Sequence, residues 1–141
     1  MTATLDVPRT AATARVRALV PWLIQAALAV PFAGGGVLKI TGSPEMVDMF
    51  ATIGAGQWLR YVVGVLELAG AVGLLLPRLC GLAALGLVAL MTGAVITNLA
   101  ALNTSPALPA SFLVVAGLIA WIRRGQILAL TTRRAPELAH P

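Results

Sequence analysis

Long apolar runs that are almost free of charged residues constrain the fold of this chain more than any other feature. We expect four such runs, at 18–38, 58–76, 79–102 and 107–122. At about 1.5 Å per helical residue, the first three are long enough to cross a hydrocarbon core of about 30 Å, and the fourth is short for this. The chain has 141 residues, of which 59% are hydrophobic. This is more apolar surface than one small soluble core can bury, so lipid is the expected solvent.

The four runs predict an all-α protein, a transmembrane four-helix bundle. Between the first and second runs, over 39–56, the composition changes to that of a loop with a short amphipathic helix. Ser43 suits the N-cap of this helix and Pro44 its first position. Met46 and Phe50 fall on one of its faces. We expect a short interfacial helix between the first and second spans that covers the bundle at the membrane surface.

Both ends of the chain are predicted to lie outside the bundle. Residues 1–17 are polar and basic and predict a flexible cytoplasmic tail, 18–122 form the transmembrane domain, and 123–141 predict a cytoplasmic interfacial tail. A cleaved signal peptide is the alternative for the first run, because Arg15 and Arg17 precede it. The length of the run and its poor small-residue cleavage signals favour a membrane span.

The positions of the basic residues predict the orientation in the membrane. Eight of the ten lie in the terminal segments and in the turn between the second and third spans: Arg9, Arg15, Arg17, Arg78, Arg123, Arg124, Arg133 and Arg134. The other two loops hold only Lys39 and Arg60. The positive-inside rule therefore predicts a multi-pass protein of the plasma membrane with both termini in the cytoplasm. Basic residues clustered at span ends suit anionic lipid headgroups and not nucleic acid.

Metal and thiol chemistry have little support in the sequence. Cys80 is the only cysteine, so no disulfide can form within the chain. The only histidine is His140, the penultimate residue, and there is no CxxC pair or cluster of metal-ligating residues. We expect no metal site and no cofactor that belongs to the chain itself.

Glu67 is the only acidic residue within the predicted spans, and it falls near the middle of the second one. An ionised carboxylate inside a membrane is costly and normally faces the bundle interior with a partner, so Glu67 is the candidate catalytic and ligand-binding residue. Arg60 precedes it by seven residues, close to two helical turns, and is predicted on the same face. The alternative is that Glu67 is protonated or hydrogen-bonded to a neighbouring helix and only holds the bundle together.

Further polar residues fall in the same outer half of the bundle under this topology. They are Lys39 at the end of the first span, Thr92, Thr97 and Asn98 late in the third, and Ser111 early in the fourth. We expect a polar pocket that opens outward beneath the short helix and takes a headgroup, a quinone ring or a small polar substrate. Its predicted ligand-binding residues are Glu67, Arg60, Lys39, Asn98 and Thr92. The cytoplasmic half has no comparable predicted set.

Three stretches of the sequence resemble DoxX-like membrane proteins. They are GGGVLKITG, MFATIGAG and GVLELAGAVGLLLPRLCGLAALGLVALMTGAVITN, and the resemblance covers roughly 31–98. It implies a four-helix bundle in which Lys39 and Glu67 match the family's polar residues. The family takes its name from a subunit associated with quinone-linked sulfur oxidation, and some members look like partners of oxidative-stress enzymes. The resemblance therefore implies a quinone and a redox partner.

Three functional hypotheses follow. The first is an accessory subunit that binds a quinone or other amphiphile beside a redox enzyme that provides the electrons. Glu67 would then supply a proton or hydrogen bond, Lys39 and Arg60 would set its charge state, and Asn98 would orient the ligand. The second is a cofactor-free enzyme in which Glu67 acts as acid or base on a lipophilic substrate, and the third is a structural assembly protein. The sequence is equally compatible with a monomer and a homo-oligomer.

Overall fold

A computed structural model describes residues 9–132 of the chain, with side chains over 19–129, and these residues form helices joined by short turns and loops, with no strand among them. The elements in chain order are α1 (Arg9–Thr41), α2 (Pro44–Ile53), α3 (Gln57–Leu75), α4 (Cys80–Thr97), a π-helical segment (Asn98–Leu102), α5 (Ala107–Ile122) and α6 (Arg124–Thr132). The prediction of an all-α protein is confirmed.

Three helical stretches are long and apolar enough to cross a membrane. They are Leu19–Thr41 within α1, Gln57–Leu75, and Cys80–Leu102, which joins α4 to the π-helical segment. The helix α5 is also apolar, but its 16 residues extend for only about 24 Å. The expectation of long membrane-crossing helices is therefore confirmed for the first three runs.

The helices continue beyond the predicted transmembrane domain at both ends. Helix α1 begins at Arg9, inside the segment assigned to the N-terminal tail, and α6 forms within 123–141. Residues 9–17 contain Ala and Arg, which favour helix, and neither Gly nor Pro. The helix of the first span can therefore extend past the apolar run. Residues 1–8 and 133–141 lie outside the described residues.

Helices α1 and α3 approach each other closely at two glycines. A Cβ on Gly36 would lie 2.8 Å from the carbonyl oxygen of Gly64, and a Cβ on Gly64 would lie 3.1 Å from the carbonyl oxygen of Gly36. Small residues at such a crossing allow two backbones to come together inside a membrane. This crossing fixes the relative position of the side chains one turn away on each helix.

The apolar core lies where α1, α3, α4 and α5 meet. Leu74 of α3 and Leu87 of α4 are among its largest fully buried side chains, and the free Cys80 is buried beside them. The rings of Phe32 and Phe112 join α1 to α5, with centroids 5.4 Å apart. Many other large apolar side chains are exposed on the outside of the helices. Such a surface is suited to lipid rather than to water.

The short helix α2 lies between the first two long apolar helices. It begins at Pro44, directly after Ser43 in the N-cap position, and its Phe50 is buried against the bundle. The chain turns at Gly42 with φ 74° before α2 and at Gly54 with φ 76° after it. Glycine adopts this left-handed conformation at little cost, so both ends of α2 can turn sharply back onto the bundle.

Candidate functional site

Lys39 of α1 and Glu67 of α3 form an ion pair inside the bundle. The Lys39 Nζ atom lies 2.9 Å from Oε2 and 3.1 Å from Oε1 of Glu67. The exposed fraction is 14% for the Lys39 side chain and 7% for that of Glu67. An isolated charge at this depth would be costly, so each residue supplies the partner that the other requires.

The position of this pair follows from the direction of side chains on a helix. A long side chain points back toward the N-terminus of its helix, which brings the Lys39 ammonium to the level of Gly35, about one turn earlier. A Cβ on Gly35 would lie 3.2 Å from Glu67 Oε2 and 3.5 Å from Lys39 Nζ. The glycine therefore provides space for the carboxylate against α1. This requirement for Gly35 was not among the sequence predictions.

Arg60 supports Lys39 through the backbone. Its Nη1 donates to the carbonyl oxygen of Lys39, close to the C-terminal end of α1, where carbonyl groups lack intrahelical partners. Its Nε donates to Oε1 of Gln57 over 2.8 Å, and Nε2 of Gln57 donates to the carbonyl oxygen of Val47 over 3.0 Å. A continuous series of hydrogen bonds therefore connects α2 to the end of α1.

The structure assigns Arg60 and Glu67 different neighbours. Both residues are buried on the same face of α3, as their spacing predicts. However, the ion pair of Glu67 is with Lys39, whereas Arg60 contacts the Lys39 backbone and Gln57. Seven helical residues span about 10.5 Å along the axis, which separates the two side chains by two turns. Arg60 is therefore a positioning residue for Lys39.

Two cavities border the ion pair. The α2 cavity has a volume of ≈ 360 Å³ and lies between α2, α3, α4 and the π-helical segment. Met49, Phe50 and Ile53 cover it from α2. The α5 cavity has a volume of ≈ 390 Å³ and lies between α1, α4 and α5. Ligand pockets in proteins commonly measure about 300–1,000 Å³, so each cavity is large enough for a small ring.

The two cavities meet at the ion pair. Five residues line both of them: Lys39, Glu67, Met91, Ala94 and Asn98. The ammonium of Lys39 has three N–H donors, of which Glu67 takes two, and each carboxylate oxygen keeps a free lone pair. The boundary between the cavities can therefore offer a ligand both a donor and an acceptor. No group of three or more His, Cys, Asp or Glu residues that could hold a metal ion occurs in the described part of the chain.

Asn98 lies at this boundary because it follows Met91 and Ala94 at helical spacing, so the three residues share one face of the helix. It is the first residue of the π-helical segment that follows α4. Its Nδ2 donates to the carbonyl oxygen of Ala94 over 2.9 Å, and its Oδ1 accepts a bond from Thr104 Oγ1 over 2.6 Å. The amide of Asn98 is thus held in a fixed orientation beside Lys39 and Glu67.

The structure does not bring every predicted polar residue to the cavities. Thr97 lines the α2 cavity. Thr92 is exposed, its hydroxyl donates to the Val88 carbonyl oxygen over 2.8 Å, and it lines neither cavity. Ser111 is likewise exposed on α5. Thr92 precedes Asn98 by six residues, which places it about 120° away around the helix. Thr92 is therefore not part of the site that the structure assembles.

A second buried polar cluster, for which there was no sequence prediction, lies toward the opposite end of the bundle. In the amide orientation that suits both neighbours, Gln25 of α1 donates to the Leu74 carbonyl oxygen over 3.2 Å and accepts from Arg123 Nη2 over 3.0 Å. The cavity that Gln25 and Arg123 help to line measures only ≈ 30 Å³. The expectation that this half lacks a comparable polar set overlooked this pair, which borders much less space than Lys39 and Glu67 do. A glutamine within the first apolar run was the available signal.

Comparison with known families supports the sequence resemblance. A sequence model of the DoxX-like family matches residues 23–122, a segment that contains the ion pair, Asn98 and both cavities. Comparisons with curated proteins and with solved structures found no match.

Proposed function

This chain belongs to the DoxX-like family, and we propose that it is an accessory membrane subunit that binds a quinone or a similar amphiphile at Lys39 and Glu67. The observation that carries this proposal is the buried ion pair, which borders two cavities between the helices. Buried charges inside membrane proteins usually belong to ligand, ion or proton sites. A pair beside open space fits that role better than a pair enclosed by packed side chains.

The chemistry of the boundary between the cavities suits a small ring with oxygen substituents. The free N–H of Lys39 can donate to a ring carbonyl, and Glu67 can accept from a ring hydroxyl. Asn98 is held by two hydrogen bonds and can fix the orientation of the ring. A quinone supplies electron-transfer chemistry when it is bound. The residues of this chain bind and orient it, and Glu67 can exchange a proton with it.

A redox enzyme is the proposed partner of this subunit. The proposal rests on the resemblance to a family named after a subunit of quinone-linked oxidation. In this arrangement the partner exchanges electrons with the ligand, and the DoxX-like chain positions the ligand in the membrane.

The proposal includes four spans in the plasma membrane with both termini in the cytoplasm. Helix α5 then crosses as the fourth span although it is short. The side chain of Trp121 near its end is exposed, and the Arg124 guanidinium lies 4.6 Å from the centre of the Trp121 ring. Such an aromatic and basic pair is typical of a membrane interface, which supports α5 reaching one. With this topology α2 lies on the outer surface and covers the α2 cavity.

Native mass spectrometry tests the binding proposal. The protein is extracted gently in its own lipids, and every bound small molecule and partner is recorded for wild type and for Glu67→Gln. The matched control is Glu45→Gln, because Glu45 is exposed on α2 and lines neither cavity. We expect a quinone or similar amphiphile with wild type and with Glu45→Gln, and its loss with Glu67→Gln. Spectra without such a ligand in all three samples would contradict the proposal.

A structural role is the second candidate function. One specific observation favours it: the ion pair connects α1 to α3 about one turn from the crossing at Gly36 and Gly64. In that case the pair would stabilise the helix contact and the cavities would hold ordinary lipid. Glu67→Gln would then lower stability but leave the set of bound molecules unchanged.

A further inference from the structure

The two cavities differ in how they are closed. The α2 cavity lies beneath α2, with the buried Phe50 in its lining. Thr97 also lines it, and the Thr97 hydroxyl donates to the Gly93 carbonyl oxygen of its own helix over 2.8 Å. The same helix α2 is connected through Gln57 and Arg60 to the backbone of Lys39. This cavity is therefore covered on one side by α2, and the polar groups near its inner end, Lys39, Glu67 and Asn98, are shared with the α5 cavity.

The charged residues that line the α5 cavity, Lys39 and Glu67, are the two that it shares with the α2 cavity. Its own lining consists of Pro31, Phe32, Gly35, Leu38, Leu108, Pro109 and Phe112. Two of these residues are exposed on the outside of the bundle, Leu38 by 49% and Leu108 by 66%. They stand on α1 and α5, so the rim of this cavity lies at the lipid-facing surface between those two helices.

We propose that the two cavities are the two lobes of one binding chamber for an amphiphile. The polar ring of the ligand lies in the α2 cavity against Lys39 and Glu67, and its apolar chain passes through the α5 cavity into the lipid between α1 and α5. This inference rests on the proposed function and adds the orientation of the ligand and its route of entry. It follows from the shared boundary, because a molecule that touches the ion pair from one lobe already borders the other.

Two probes distinguish the contributions of the two lobes to binding. One is a substituted benzoquinone without a side chain, and the other is the same ring with a decyl chain. The full-length protein is placed in lipid nanodiscs of one composition, and the dissociation constant of each probe is measured. All variants share the same lipid, so partition of the decyl probe into the bilayer cancels when its binding is compared between variants.

Leu108→Trp narrows the α5 lobe at its rim. We expect it to weaken binding of the decyl probe about ten-fold, which corresponds to roughly two methylene groups displaced from the lobe. The dissociation constant of the ring probe should not change. The matched control is Val114→Trp on the same helix, where Val114 is 71% exposed and lines neither lobe. Leu38→Trp narrows the same rim from α1, and it replaces Leu108→Trp in the experiment if that variant does not fold.

Val63→Phe fills the α2 lobe, because Val63 lines it one turn before Glu67. We expect this change to weaken binding of both probes, because each places its ring in the α2 lobe. Val62→Phe is the control, because Val62 is exposed and lines neither lobe.

The outcomes distinguish this inference from the proposed function. In one outcome, wild type binds both probes through Glu67 while Leu108→Trp and Leu38→Trp change the two dissociation constants equally or not at all. That result overturns the two-lobed chamber and leaves the binding function in place. If wild type binds neither probe, both proposals fail. A selective loss of the decyl probe supports the chamber.

Discussion

Two buried polar clusters in the described residues each connect α1 to other helices, one by an ion pair and one by hydrogen bonds, and their surroundings differ. At one end Lys39 and Glu67 connect α1 to α3, and at the other end Gln25 connects α1 to Leu74 and Arg123. The first borders cavities of ≈ 360 and ≈ 390 Å³, and the second borders one of ≈ 30 Å³. The smaller volume holds little more than one or two waters. Both clusters bury polar groups, and the volume of the adjacent space is what differs between them.

The difference has a physical origin in how each end of the bundle is filled. Near Gln25 the fully buried Leu74 and Cys80 occupy the centre, and Ile119 packs beside them. Near Lys39 small residues such as Gly35 and Ala94 occupy the interior surface. Small residues bring α1 and α3 together but leave space beside α4 and α5. Substitutions in and near the two clusters test this contrast.

The largest effect is expected when one partner of the ion pair is removed. Lys39→Met leaves the Glu67 charge buried without a partner, and we expect a loss of about 3–5 kcal/mol in the free energy of unfolding. The double variant Lys39→Met with Glu67→Leu should recover most of this loss, because it removes both charges and keeps the volume. Unfolding in bicelles measures both effects.

Ligand binding by the double variant separates a site from a structural pair. We expect the double variant to be stable and yet unable to bind the benzoquinone probe, because donor and acceptor are both gone. If the double variant binds the probe as wild type does, the pair has a structural role. The contrast with the Gln25 cluster is then lost.

The second prediction concerns the crossing that positions the ion pair. Gly36→Ala places a methyl group against the Gly64 carbonyl and should cost about 1–3 kcal/mol of unfolding free energy. Probe binding should weaken as well, because Lys39 lies about one turn from the crossing. Gly34→Ala is the control, since a Cβ on Gly34 has no neighbour within 4 Å. Equal effects of the two alanines would show that close approach at Gly36 is unimportant.

The third prediction concerns the other cluster. Gln25→Leu removes the bonds to Leu74 and Arg123, and we expect a loss of about 1 kcal/mol in unfolding free energy, typical of a hydrogen bond between membrane helices. Binding of the benzoquinone probe should not change, because Gln25 lines neither the α2 cavity nor the α5 cavity. Weaker probe binding with unchanged stability would mean that the two clusters are coupled and that the contrast between them is incorrect.

The smallest effect is expected at Thr92. Thr92→Val removes an exposed hydroxyl that bonds to its own helix, so stability should change by less than about 0.5 kcal/mol. Probe binding should match wild type, which a titration can establish to within two-fold. A clear loss of binding would contradict this prediction and would mean that the ligand contacts Thr92 on a different face of α4.

Much of the fold was predictable because lipid imposes strong rules on sequence. Apolar runs of sufficient length predict membrane helices, and Pro44 with its amphipathic pattern predicts α2. The spacing of Arg60 and Glu67 also predicted that both face the interior, because the helical period fixes which residues share a face. The helical stretch from Arg9 was missed, since propensity without apolar periodicity gives a weak signal.

The sequence by itself determined the membrane character of this protein, its helical class and the interior position of Glu67, because each depends on composition or on spacing within one helix. Only the tertiary structure decided that Lys39 is the partner of Glu67, that Arg60 holds the end of α1, and that Thr92 lies apart. These outcomes depend on how helices distant in sequence approach and rotate about one another. Contacts such as that of Gly36 with Gly64 set this geometry, and no period within a single helix encodes it.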